Sequence, residues 1–196
     1  MNIYYLVPPK MKVARFMDNP YGKSITIPVE GNEWYAARAK AFAHALEYGE
    51  RHVLICAGHA VPTQVNRDPS KKGMNGIGVR TASNFTDHAL LLYCIRLLKE
   101  YTGQVNVPPV QALPQLHRGW TERVPTPPMV SAYSLSAIQA VEHHDSSLGY
   151  NLVRNGFQVL TLGDFGYILR GGTTLDEYGS TTKWMQAYER FQNEFF

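Results

Sequence analysis

Cysteine is scarce in this chain, with only Cys56 and Cys94 among 196 residues. Both sit in apolar segments, HVLICAG and LLLYCIRLL, which predicts buried, reduced thiols rather than a disulfide framework. A nucleophilic role for Cys56 is disfavoured, because its flanks read as the middle of a strand. Long apolar runs are missing as well, and none approaches a bilayer span. The first residues, MNIYYLVPPKMK, have neither a basic leader ahead of an apolar stretch nor a small-residue cleavage site. The expectation is a protein without secretory signal or membrane partner, placed in the cytoplasm.

Charge of either sign is sparse too. The formal net charge is +3 with histidines neutral, which permits an anionic ligand without calling for nucleic acid. Catalytic and cofactor signatures are equally thin. The metal spacings H-x-x-x-H, H-E-x-x-H and C-x-x-C are absent, and no metal site is predicted. Gly76-Ile77-Gly78 fits neither a Walker loop nor a dinucleotide fingerprint. No G-x-S-x-G elbow occurs, and Asp164-Phe165-Gly166 lacks the other elements of a kinase. No cofactor is assigned.

What is present is a globular composition, 44% apolar and 18% charged, in a length suited to one domain spanning residues 1–196. Residues 2–7 read as a strand that ends at Pro8-Pro9, and residues 12–17 and 24–29 as a hairpin insertion around a turn at 18–22. A helix is predicted from the N-cap Asn32 to Gly49, with Trp34, Ala37, Ala41, Ala45 and Tyr48 on one face. Residues 52–57 form a continuous apolar run, the pattern of a strand covered on both faces and hence of a central parallel strand. Residues 58–83 read as a long loop rich in glycine, proline and basic residues, of the kind used as a lid. Asn84 caps a second helix, with Asp87 three residues on and a stripe of Leu90, Leu91, Cys94, Ile95 and Leu98 ending at Gly103.

Residues 104–113 look extended, residues 115–128 form a proline-bearing crossing loop around Trp120, and residues 129–133 suit a strand. Ser136 with Gln139 has the capping-box form and opens a third helix reaching Asn155-Gly156. Residues 157–162 and 165–169 alternate like a hairpin turning at Gly163-Asp164. An aromatic-rich helix over 182–196 closes the chain. The predicted fold is α/β: a mostly parallel sheet of about five strands flanked by helices, with a C-terminal β-hairpin and terminal helix. An α+β arrangement is the alternative.

His59 follows the apolar strand directly, in Cys56-Ala57-Gly58-His59. Ligands of open α/β sheets gather at the carboxyl ends of strands, so His59 is the candidate acid–base residue, against the plain reading of a loop histidine bonded locally. Arg67, Lys71, Lys72 and Arg80 interleave with glycines in the long loop, and would neutralise an anion there unless the loop is simply solvated. His88 lies in the first turn of the second helix, whose dipole favours neutral imidazole. Asp145 falls on the buried stripe of the third helix if that helix is unbroken, where its carboxyl needs a partner; a break there makes it a cap instead.

Two functional readings follow. One is an enzyme acting on a small anionic metabolite, a nucleotide or phosphorylated sugar, by hydrolysis or group transfer: His59 serves as acid–base, Asp145 or His88 assists, and Arg67, Lys71, Lys72 and Arg80 hold the anion. The other is a non-enzymatic ligand-sequestering or assembly protein that forms homo-oligomers through its C-terminal helix. Whether the chain is an enzyme stays open between them.

Overall fold

The computed structural model describes residues 3–7, 24–28, 34–57, 60–67, 77–79, 86–109, 120–122, 129–141 and 147–169. Its contacts divide the chain into two compact units, Met1–Gly49 and Glu50–Phe196.

In the first unit, β1 (Ile3–Val7) and β2 (Ser24–Pro28) pair in parallel, Ile3 opposite Ser24 and Val7 opposite Pro28. β2 is therefore a partner of β1, and residues 12–17, the other arm of the expected hairpin, lie outside the described residues. Helix α1 (Trp34–Glu47) follows. Its buried residues are Arg38, Ala41, Phe42 and Ala45, spaced at i, i+3, i+4 and i+7. Tyr48, expected on that face, is 61% exposed and lies against the His44 ring with centroids 4.5 Å apart. Gly49 ends the helix at φ +71°, the left-handed conformation expected of it.

The second unit contains two sheets. In chain order its elements are β3 (His52–Cys56), β4 (Ala60–Arg67), β5 (Ile77–Val79), α2 (Thr86–Glu100), β6 (Gly103–Val107), β7 (Trp120–Glu122), β8 (Val130–Ser134), α3 (Leu135–Gln139), α4 (Leu148–Arg154), β9 (Gln158–Leu162) and β10 (Phe165–Leu169). The larger sheet has the order β3-β8-β6-β9-β7 and the smaller the order β10-β4-β5. In the larger sheet β6 and β9 are parallel, while β3–β8, β8–β6 and β9–β7 are antiparallel. The sheet is mixed, and the architecture is of the α+β type rather than mostly parallel.

The apolar run over residues 52–57 explains that departure. It forms β3, an edge strand of the described sheet whose first three residues are only half-buried. The central strands β6 and β8 are buried along their whole length, and β9 from its second residue. Their sequences, GQVNV, VSAYS and QVLTL, look less apolar than HVLIC because one face carries Gln104, Asn106, Ser131, Tyr133 and Thr161. Burial there is partly compensated by bonds within the row, Gln104 to Asn106 and Ser131 to Tyr133.

Helix α2 lies over the opposite, apolar face. Its Cys94 thiol feels Cys56, and its Lys99 acts on His52. Both partners are on β3 two residues either side of Leu54, so they share a side by strand alternation. In register with that side stand Val105, Val107, Val130, Ala132 and Leu160. The buried residues of α2 are Leu90, Cys94, Leu97 and Leu98, a stripe rotated slightly from the predicted one, and Leu92 is 54% exposed.

The remaining corrections are local. Residues 58–83 contain the antiparallel pair β4–β5, Val65 opposite Val79 and Arg67 opposite Ile77, so they are not a structureless loop. Pro62 sits inside β4 because β5 reaches only Val65–Arg67. On that side Pro62 has no strand neighbour among the described residues that would require its missing N–H. The expected hairpin of β9 with β10 does not form. β9 has β6 on one side and β7 on the other, so at Gly163-Asp164 the chain leaves the larger sheet and β10 pairs with β4. The third helix is split into α3 and α4, and Ser136 is an exposed residue within α3, whose N-cap is Ser134.

Candidate functional site

The pairing directions place the carboxyl ends of β3, β6 and β9 at one edge of the larger sheet. Two strands of the smaller sheet start from this edge. Ala60 N donates to Ala57 O (2.9 Å), carrying β3 into β4. Gly163-Asp164 carries β9 into β10. The extension of β6 runs beside β10, with Tyr167 N donating to Pro108 O (3.0 Å) and Pro109 bridging Tyr167 in parallel.

Side chains at this edge that carry polar or aromatic chemistry include Cys56, Asp164, Tyr93 and Phe165. Tyr93 projects from α2 against Phe165, ring centroids 5.7 Å apart at 31°. Burial, and next the Asp164 carboxylate, raises the Tyr93 phenol above its ordinary range; Cys94 adds to this and Arg96 opposes it. A phenol so placed stays protonated and acts as a hydrogen-bond donor. The Cys94 thiol is pushed up to about 12, first by burial and then by Cys56, so it carries no thiolate near neutral pH. Cys56 is exposed, contrary to its predicted burial; both cysteines are free thiols, as expected. Burial likewise lifts the Tyr167 phenol to about 12. At the opposite edge, burial followed by Lys99 and Arg51 lowers the His52 pKa.

The sequence-predicted residues fall unevenly on this geometry. Arg67 is the last residue of β4 and His88 lies in the first turn of α2. His59, Lys71, Lys72, Arg80 and Asp145 lie outside the described residues, as does the terminal segment 182–196. Trp120, expected in a crossing loop, opens β7 opposite Leu162. Among the described residues, no group of three or more His, Cys, Asp and Glu side chains could hold a metal ion. No helix among them is long and apolar enough to cross a membrane.

Two features escaped the sequence reading. Asp164 was accounted for as a turn residue, and its electrostatic tie to Tyr93 joins positions 71 residues apart that no local pattern connects. The row Gln104, Asn106, Ser131, Tyr133 and Thr161 had a legible trace: polar residues at i and i+2 in GQVNV put two carboxamides on one strand face. No family model, curated protein or solved structure matches the chain.

Proposed function

We propose that the chain binds and chemically alters a small anionic metabolite, a nucleotide or a phosphorylated sugar, at the edge where β3, β6 and β9 end. The observation that carries this reading is the convergence of three strand carboxyl ends with the start of β4. Strand ends leave backbone groups and side chains directed beyond the sheet, and β3, β6 and β9 share one direction there, as do the strands of open α/β sheets at whose carboxyl ends ligands collect. In the sequence His59 stands immediately before β4, and Arg67 closes that strand ahead of Lys71 and Lys72.

In this reading His59 exchanges a proton with the substrate in a hydrolysis or group transfer. Asp145 or His88 orients it, and Arg67, Lys71, Lys72 and Arg80 neutralise the anion. Two free cysteines support a reducing, cytoplasmic setting.

The test is a thermal-shift series of wild type and His59→Ala with nucleotides and phosphorylated sugars. A ligand that binds only the folded chain at one hundred times its Kd stabilises it by about 2.7 kcal/mol. The expected result is a rise in Tm with one such ligand that His59→Ala abolishes while still melting cooperatively. If no ligand moves either melting curve, a sequestering or assembly role with a macromolecular partner takes precedence.

A further inference from the structure

Gln104 and Asn106 are neutral, polar and almost wholly buried, at 3% and 1% exposure, in the middle strand of the larger sheet. Their carboxamides meet each other, Gln104 Nε2 donating to Asn106 Oδ1 at 2.5 Å. Gln104 Oε1 and Asn106 Nδ2 have no hydrogen-bond partner in the chain. Turning both amides over merely exchanges the roles: one carbonyl oxygen and one NH2 group are left over in either orientation. Their register neighbours on the same face are Tyr133 and Ser131 on β8 and Val159 and Thr161 on β9. Ser131 Oγ donates to Tyr133 Oη at 2.6 Å. The face is thus a buried polar row with one donor and one acceptor to spare.

We propose that this carboxamide pair seats an internal water molecule, a binding site separate from the strand-end edge and independent of the function proposed there. The guest must accept from an NH2 group and donate to a carbonyl oxygen. An anion accepts only, and a metal cation satisfies only the oxygen, so neither completes the pair. Among the described residues no charged side chain belongs to the row, and the burial of its members limits the guest to a very small molecule. Water meets both requirements, and its remaining valences fall among the hydroxyls of Ser131 and Thr161 on the flanking strands.

The experiment uses the full chain labelled with nitrogen-15, with water-selective nuclear and rotating-frame Overhauser spectra read at the side-chain NH2 signals. The Gln104→Leu/Asn106→Leu double variant identifies those signals by their disappearance. Exposed Asn155 supplies the surface reference. The expected result is a water cross-peak at Asn106 or Gln104 with the sign of a long-lived complex, against only the short-lived sign at Asn155. Deuteron relaxation dispersion of the wild type gives a second reading that requires no variant: at least one long-lived water per chain is expected. Carboxamide signals without a long-lived water peak in the folded wild type, or a dispersion amplitude of zero, would overturn the proposal.

Discussion

At the scale of single residues, glycines and titrating groups make the sharpest commitments. Gly103 opens β6 at φ +155°, and a Cβ there would run into the Gln158 carbonyl oxygen and lie 2.9 Å from the Gln158 nitrogen. The obstacle is backbone of the paired strand, which cannot swing aside. Gly103→Ala is expected to cost about 3 kcal/mol, read from the urea midpoint at unchanged slope. Gly156, at φ +81°, has open space around its Cα, so Gly156→Ala carries only the left-handed backbone penalty of about 1 kcal/mol. Thiol labelling separates the cysteines: Cys56 reacts in the native chain, whereas Cys94, with its pKa pushed up to about 12, reacts only in denaturant. Two thiols labelled at equal rates in the native chain would contradict this.

His52 gives a pH dependence whose sign follows from its environment. Its folded pKa lies below the ordinary 6.5, so the unfolded chain binds the proton more readily. Stability rises with pH wherever that is true. The contribution of His52 is present above the unfolded pKa and is lost as pH falls through 6.5 toward the folded value. His52→Gln should therefore flatten part of the decline in unfolding free energy below pH 6.5; an unchanged pH profile would show that His52 is not its source.

At the scale of elements, local chemistry was legible where the chain controls its own termination. Gly49 stands where the sequence called for a left-handed cap, and Gly156, at the expected end of the third helix, is left-handed too. At the end of α4 the Phe157 N–H reaches Leu152 O at 2.9 Å and the Gly156 N–H reaches Val153 O at 2.9 Å, the paired bonds of a Schellman ending. Partner choice was not legible. The turn at Gly163-Asp164 suits a hairpin, but β9 already has neighbours on both sides, and that occupancy comes from strands distant in sequence. Pro62 similarly argued against a strand, yet its place in β4 is acceptable because β5 is short. Amide exchange should show the difference between strands: β6, β8 and β9 protected near the global unfolding free energy, and the half-buried start of β3 exchanging sooner.

At the scale of the whole molecule, the stability of the second unit rests on the buried strands of the larger sheet and the helices packed on it. Leu160, fully buried in β9, should cost 2–5 kcal/mol when truncated to Ala, roughly the range for core leucines, whereas exposed Leu92→Ala in α2 should stay within about 0.5 kcal/mol. Chemical denaturation of the two variants side by side checks the contrast. The sequence ranked β3 as the central strand by hydrophobicity alone, and that ranking failed because the true centre buries a row of polar side chains, Gln104, Asn106, Ser131, Tyr133 and Thr161.

What the sequence by itself determined are the quantities set within a few residues: the α1 and α4 endings, most strand locations, the free cysteines and the mixed helix–strand composition. Periodicity and backbone preference act at that range, so their marks are local. Only the tertiary structure decided that β6 and β9 run parallel between antiparallel neighbours, that β10 crosses to a second sheet, and that Asp164 lies within electrostatic reach of Tyr93. Each of these depends on which distant strand fills an open edge first, a choice made by packing and register over the whole chain rather than by any segment alone.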